Sequence, residues 1–183
     1  MMSRWHYSQL QHSQVSEQYQ QHDIFEHNAW VSIDAAHKMG IGLGMGLIAT
    51  TNEGTFLAAA TGLQPETMDP SIAEGIVLRW CLDILIAVGL THVTIFTDCI
   101  QVVQAWERKG KYNIYLDAIV KDGIELADQF INIRVVHKAR SDNRIADFLA
   151  NLAFDIYDNV WLDNVPNILY NFFPPADLYA ADE

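Results

Sequence analysis

The chain has 183 residues, of which 50% are hydrophobic and 19% are charged, so it can form one domain with a buried core and is not disordered. Its two cysteines are too few for a disulfide framework, and its net charge of −12 excludes a generally basic nucleic-acid-binding surface. The sequence has neither an apolar run of roughly 18 residues nor a secretory signal pattern, so we expect an intracellular protein, nuclear or cytoplasmic, with no membrane partner.

The N-terminal stretch differs in composition from the rest of the chain. Residues 1–29 contain six glutamines and four histidines with little apolar periodicity, which predicts a flexible leader. Ordered structure is predicted to begin at Trp30. The predicted elements, in chain order, are strands 30–36, 41–50 and 55–64, helix 71–88, strand 92–97, helices 100–108 and 114–130, strand 131–136 and helix 143–157.

This order of elements predicts an α/β domain with a mixed sheet flanked by helices. Three meandering strands come first, and the later strands follow helical crossovers, which are right-handed in nearly all proteins. We expect the domain to cover residues 30–158 and an irregular acidic tail, with three prolines, to cover 159–183. Alternating glycines at 40–46 predict close backbone packing in the second strand, because no phosphate-loop lysine follows them.

Basic side chains are concentrated in one segment. Residues 108–144 carry eight basic and five acidic side chains, whereas the segments on either side are net acidic. This segment is therefore the candidate phosphate-facing surface, and a solvated face of mixed charge is the alternative.

Two aspartates stand where α/β sheets commonly bind ligands, near the carboxyl ends of strands. Asp34 interrupts an apolar strand, and Asp98 directly follows another. A right-handed crossover would make these strands neighbours, about 4.8 Å apart. Two carboxylates so close repel each other, and both stay ionised only if a cation lies between them.

Two further acids come from predicted helices. Glu74 lies at the margin of the apolar stripe of helix 71–88 and can reach the edge of the sheet, although its spacing from Ser71 also fits a capping box. Asp147 lies near the start of the last helix, where an acid also suits the helix dipole. That helix can be capped by Ser141, Asp142 and Asn143.

Four short motifs carry these acids in a fixed order along the chain. They are Ile33-Asp34-Ala35-Ala36, Ile72-Ala73-Glu74, Phe96-Thr97-Asp98, and His137 through Asn143 to Ala146-Asp147-Phe148-Leu149-Ala150. Over about residues 30–170 the chain resembles the ribonuclease H domain. More narrowly, it resembles the reverse-transcriptase-like ribonuclease H domains abundant in plants, which are related to retroelements, down to a tail motif that runs from Val160 to Pro166.

The resemblance implies a fold, a reaction and a set of metal ligands. The fold is a mixed five-stranded sheet in the order 3-2-1-4-5 with strand 2 antiparallel, and the reaction is two-metal hydrolysis of the RNA strand of an RNA–DNA hybrid. Asp34 would bridge two Mg²⁺ ions, with Glu74 and Asp98 on one ion and Asp147 on the other. Mn²⁺ could substitute, no small-molecule cofactor is implied, and no oligomeric state is indicated.

The resemblance also suggests residues for proton transfer and substrate binding. His137 lies ten residues before Asp147, the offset of a loop histidine that assists proton transfer or product release in cellular ribonucleases H. A histidine that ends a strand and bonds to backbone is the alternative. Contacts to nucleic acid are expected from Arg108, Lys109, Lys111, Lys138, Arg140 and Arg144.

The connection between the predicted helices 100–108 and 114–130 is short. It leaves no room for the large basic protrusion with which bacterial enzymes grip the hybrid, so weak binding is expected. Two other interpretations stay open. One is a catalytically quiet module that retains the fold and binds nucleic acid or protein, and the other is a different activity on this fold, such as a DNA nuclease.

Overall fold

The computed structural model describes residues 28–65, 68–109 and 113–175. The predicted leader therefore lies outside the described residues, except for Asn28 and Ala29. Within these ranges there are six strands and four α-helices. In chain order they are β1 (Ala29–Lys38), β2 (Gly42–Thr50), β3 (Phe56–Gln64), α1 (Pro70–Ala87), β4 (His92–Thr97), α2 (Ile100–Trp106), α3 (Ile114–Leu126), β5 (Asn132–His137), α4 (Arg144–Ile156) and β6 (Asn159–Leu162).

The strands form one mixed sheet in the order β5-β4-β1-β2-β3-β6. β1 pairs in parallel with β4, and β4 with β5, whereas β2 is antiparallel to both of its neighbours. The predicted order 3-2-1-4-5 with an antiparallel strand 2 is thus confirmed. β6 is an additional strand, antiparallel to β3.

The strand β6 corrects the prediction that the chain is irregular from residue 159 onward. Its backbone pairs with Ala58–Thr61, and its side chains Val160 and Leu162 pack against the main core. The prolines that suggested an irregular tail begin only at Pro166, after the strand has ended. A four-residue strand gains most of its stability from the sheet it joins, which is a tertiary effect that local sequence does not show.

Helices cover both faces of the sheet. Leu47 and Ile48 are adjacent on β2 and point to opposite faces; Leu47 belongs to the core under α1, and Ile48 to the core under α4. The helix α3 packs on α1. Among the described residues, no helix is both long and apolar enough to cross a membrane.

The glycines of β2 allow α4 to lie directly on the sheet. A Cβ atom at Gly46 would meet the backbone carbonyl oxygen of Ala146, and one at Gly44 would meet that of Ala150. The predicted close packing of this strand is therefore present, and its partner is the backbone of α4. Because Gly46 is the register partner of Asp34, this contact brings the first turn of α4 towards Asp34.

Candidate active site

Parallel pairing sets Asp34 and Asp98 at the same level of the sheet. The register of β1 and β4 ends at Ser32 opposite Phe96, and each aspartate comes two residues later on its own strand. Asp34 is 3% exposed, whereas Asp98 is partly exposed just beyond the end of β4. Asp98 therefore lies just beyond the carboxyl end of β4, and Asp34 lies level with it inside β1, past the last residue that pairs with β4. The two strands are neighbours, as predicted from the crossover.

Glu74 reaches the same place from α1. The N-cap of α1 is Asp69, whose Oδ1 accepts from the backbone N–H of Ser71 at 3.0 Å and from the Ser71 hydroxyl at 2.7 Å. The predicted capping box between Ser71 and Glu74 is therefore wrong, because the helix begins earlier than that spacing requires. Glu74 lies one turn inside the helix, and its side chain is available to the carboxylate group.

Asp34, Glu74 and Asp98 form a tight group of three carboxylates. One oxygen from each lies within 4.8 Å of the others. Asp34 Oδ1 accepts from the backbone N–H of Ala35 at 3.0 Å, whereas Asp34 Oδ2 and Glu74 Oε2 are buried without a hydrogen-bond partner among the described residues. Buried carboxylate oxygens are costly to leave unpaired, and hard oxygens at this spacing suit a divalent cation such as Mg²⁺.

Burial and mutual repulsion change the acidity of this group. The pKa of Asp34 rises to about 7, first because burial disfavours its charge and then because Asp98 is close. The pKa of Glu74 rises to about 8, through burial and then the charges of Asp34 and Asp98. The Ala35 N–H and the Arg140 guanidinium lower both pKa values. Without a cation, Asp34 and Glu74 are therefore partly protonated at neutral pH.

Asp147 lies beside this group in the first turn of α4. Its backbone N–H donates to the Asn143 carbonyl at 3.0 Å, and its charge contributes to the raised pKa of Asp34. It is not one of the three acids whose oxygens lie within 4.8 Å of one another. Its Oδ1 lies 3.4 Å from Asn151 Nδ2, whose stronger bond, at 2.9 Å, goes to the Asp147 carbonyl.

Asn143 does not cap α4 through its side chain, which corrects the predicted role. It is 1% exposed, and its Nδ2 donates to the carbonyl oxygen of Ile33 at 2.8 Å. Sequence reasoning missed this bond, because capping explains an asparagine at a helix start and nothing local points to a partner 110 positions away. Its place in the motif between His137 and Asp147 was the available signal.

His137 ends β5 and is exposed. Its Nε2 lies 3.2 Å from the backbone carbonyl oxygen of Asp98, a hydrogen bond when Nε2 carries the proton. Both predicted interpretations of His137 are compatible with this contact, because the ring bonds to backbone and also stands beside the acids.

The predicted nucleic-acid-binding residues divide into two groups. Lys138 stands over the Phe96 ring at 5.3 Å, and Arg140 is close enough to Asp34 to lower its pKa. Arg144 is exposed at the first position of α4. The others follow α2: Arg108 is exposed with a φ of 57°, Lys109 pairs with Glu107 at 2.7 Å, and Lys111 lies outside the described residues.

Comparisons with known proteins agree with this fold. A family model described as "Reverse transcriptase-like" matches residues 32–153. Ribonuclease H1 of the archaeon Halobacterium salinarum aligns with a TM-score of 0.64 and 21% identity, over 70% of this chain and 98% of that one. No curated protein sequence matches the chain significantly.

Two further solved structures are similar. The N-terminal ribonuclease H domain of a Mycobacterium tuberculosis protein aligns at 26% identity and a TM-score of 0.62, over 71% of this chain and 95% of that one. A ribonuclease H1 isolated from compost, LC11, was solved in complex with an RNA/DNA hybrid. It aligns at 22% identity and a TM-score of 0.63, over 70% of this chain and 98% of that one.

Proposed function

The chain belongs to the reverse transcriptase-like family, and from that premise we propose that it is a metal-dependent endonuclease that hydrolyses the RNA strand of RNA–DNA hybrids. The observation that carries the proposal is the group formed by Asp34, Glu74 and Asp98, with oxygens within 4.8 Å of one another. Two of its oxygens are buried and unpartnered among the described residues. A purely structural set of acids would bond these oxygens to protein donors, whereas a cation site leaves them free.

The proposal assigns a role to each acid. Asp34, Glu74 and Asp98 would hold one Mg²⁺, and Asp34 with Asp147 would hold a second; Mn²⁺ has the same preference for hard oxygens. Bound divalent ions supply an attacking water of lowered pKa and neutralise the charge on the leaving 3′ oxygen. Glu74 would also lie near the ribose 2′-hydroxyl, the group that distinguishes RNA from DNA.

The other residues would orient substrate and move protons. His137 is exposed beside the acids, so it can exchange protons with water and would assist proton transfer or product release. Lys138, Arg140 and Arg144 would contact phosphates next to the carboxylates, and Arg108, Lys109 and Lys111 would do so further along the hybrid. The LC11 enzyme solved with an RNA/DNA hybrid supports this choice of substrate.

Several finer assignments belong to the same proposal. The tail motif after α4 supports the plant-type, retroelement-related branch of the family. We also propose that residues 30–158 together with the strand β6 form the catalytic domain, that the rest of the chain flanks it, and that the protein works in the nucleus or cytoplasm.

A cleavage assay on a uniformly labelled RNA–DNA hybrid tests the proposal. We expect cleavage of the RNA strand with Mg²⁺ or Mn²⁺, none with EDTA, and none from Asp34→Asn. Asp83→Asn is the matched control, because Asp83 is a surface partner of Arg79 on α1 and should leave cleavage unchanged. Duplex DNA and duplex RNA complete the panel.

The panel separates this proposal from the alternatives. A protein that binds hybrid in Ca²⁺ but does not cleave it at saturating Mg²⁺ is a catalytically quiet module. The short link between α2 and α3 favours weak hybrid binding, which is why binding and cleavage need separate measurement. Cleavage of duplex DNA would indicate a different activity on this fold.

A further inference from the structure

We infer that Asn143 is a positioning residue that fixes the separation of Asp34 and Asp147, by tying the start of α4 to β1 inside the site. This inference rests on the proposed function, because it concerns how the carboxylate ligands are held apart at a set distance. Asn143 itself need not touch metal or substrate.

Asn143 bonds to the immediate surroundings of both carboxylates. Its side-chain Nδ2 donates at 2.8 Å to the carbonyl oxygen of Ile33, the residue before Asp34. Its backbone carbonyl accepts at 3.0 Å from the N–H of Asp147. In the described ranges it is the one side-chain amide that is fully buried, so neither bond competes with bulk water.

The bond to Ile33 comes at the point where the pairing of β1 with β4 ends, while β1 stays paired with β2. The registered pairing of β1 with β4 ends at Ser32 and Phe96, and Ile33 is the next residue. The amide of Asn143 thus continues the hydrogen bonding of β1 by one residue, directly before the strand presents Asp34. On the other side of β1, α4 is held by its contact with Gly46, so the helix start is fixed at two points.

The chemistry of the contact requires a hydrogen-bond donor at this position. A carbonyl oxygen only accepts, so its partner must donate, and aspartate would instead add a repelling charge to an acidic site. Asn143 Oδ1 is buried without a hydrogen-bond partner among the described residues, which carries a free-energy cost. An asparagine that served only to fill space or to cap the helix would not need this arrangement.

The first test compares Asn143→Leu, which keeps the size but loses the donor, with a matched control. Thr61→Val is that control: Thr61 is also 1% exposed, and its hydroxyl donates at 2.6 Å to the carbonyl of Tyr157, just beyond the other end of α4. We expect both variants to lose thermal stability. Only Asn143→Leu should also bind Mg²⁺ about tenfold or more weakly in calorimetry and lose kcat more than KM.

Wild-type Mg²⁺ affinity and kcat in Asn143→Leu would overturn the inference. The Asn143 side chain would then make a buried hydrogen bond that only stabilises the fold, as Thr61 does. If leucine prevents folding, Asn143→Ser is the second variant, judged by the same readouts.

A metal-free double-mutant cycle keeps the inference testable even if the proposed function fails. Asp147→Asn should raise the melting temperature in metal-free buffer, because it relieves repulsion with Asp34. That gain should be smaller in the Asn143→Leu background, where the two carboxylates can move apart. An equal gain in both backgrounds contradicts the inference, whereas a wild type that neither binds Mg²⁺ nor cleaves hybrid contradicts only the proposed function.

Discussion

The fold raises the pKa values of the Asp34 and Glu74 carboxylates well above their values in water. Asp34 is 3% exposed on the central strand β1, and Glu74 Oε2 on α1 is buried. Their pKa values therefore rise to about 7 and about 8, mainly through burial. A protein without metal consequently folds around partly protonated acids, and the proposed cation would replace those protons.

We expect the stability of the metal-free protein to fall as pH rises from acidic to mildly alkaline values. The folded pKa values of Asp34 and Glu74 lie above their unfolded values of 3.8 and 4.5, so the folded state binds more protons. The stabilisation is complete below the unfolded values and is lost as pH rises through about 7 and about 8. Melting temperature across a pH series in EDTA measures it.

The control for this pH dependence is the double variant Asp34→Asn, Glu74→Gln, which should show a flatter profile. Saturating Mg²⁺ should also flatten or reverse the wild-type profile, because metal binding favours the ionised acids. A wild-type melting temperature that is constant or rises across this range would contradict the expected protonation.

Asp98→Asn should abolish hybrid cleavage while preserving or raising the melting temperature in metal-free buffer. The change removes a charge that raises the pKa of both Asp34 and Glu74, and it keeps the side-chain shape. Added Mg²⁺ should then stabilise the wild type and not the variant. We expect a loss of kcat of at least about 100-fold, since a ligand matters at least as much as its outer-shell partners.

Asp83→Asn provides the comparison, because it removes a surface aspartate of α1 and should change neither cleavage nor the response to Mg²⁺. Destabilisation of the metal-free Asp98→Asn protein by several degrees would instead identify Asp98 as a structural hydrogen-bond acceptor.

At the scale of single elements, α4 determines where Asp147 stands. Its first turn lies against Gly46, which is opposite Asp34 on the neighbouring strand. The sequence predicted this helix as 143–157, and the structure has Arg144–Ile156. The apolar periodicity of the sequence predicted the helix, and the alternating glycines predicted the close backbone packing of β2. The helix that lies on those glycines could not be identified, since it follows about 100 residues later.

Gly46→Ala should displace α4 and damage the site together with stability. A Cβ atom at Gly46 would overlap the Ala146 carbonyl oxygen, which is backbone and cannot rotate away. We expect a loss of about 3 kcal/mol or more in free energy of unfolding, measured in urea, with reduced Mg²⁺ affinity.

Gly123→Ala on α3 is the matched control, because its Cβ would approach the flexible end of Leu82 at 3.1 Å and make an ordinary contact with the Trp106 ring at 3.7 Å. Alanine also favours the helix over glycine by about 1 kcal/mol, so this variant should be near neutral or slightly stabilising. If Gly46→Ala were as stable as Gly123→Ala, α4 would not be positioned by this contact.

For the whole molecule, charge is distributed unevenly around a strongly acidic protein. The net charge is −12, yet residues 108–144 carry a net positive charge, and one of their cations, Arg140, is close enough to Asp34 and Glu74 to lower their pKa values. The sequence located this basic segment, and its resemblance to the ribonuclease H domain implied the sheet order. It could not show which of the cations lie beside the site, because that depends on how the loop after β5 folds back over β4.

Replacing Lys138, Arg140 and Arg144 together by alanine should weaken hybrid binding equally for all base sequences. Each phosphate neutralised contributes nearly one unit to the slope of log K against log salt, so the wild type should show a shallow slope of at most about four units and the variant a lower one. Hybrid affinity across a salt series, with Ca²⁺ replacing Mg²⁺, measures both.

Lys121→Ala, which removes an exposed cation on α3, is the control and should keep the wild-type slope. Equal slopes for the wild type and the triple variant would mean that these cations do not face nucleic acid, and the module that retains the fold for protein contacts would then be favoured.

The short strand β6 also determines which truncations of this chain avoid aggregation. The family match ends at residue 153, whereas β6 begins at Asn159. A protein trimmed to the matched region would leave Ala58, Ala59 and Ala60 of β3 as an uncharged row with unpaired backbone groups. Such an edge recruits strands from other molecules, so the trimmed protein should precipitate or self-associate at concentrations where the full chain stays dispersed.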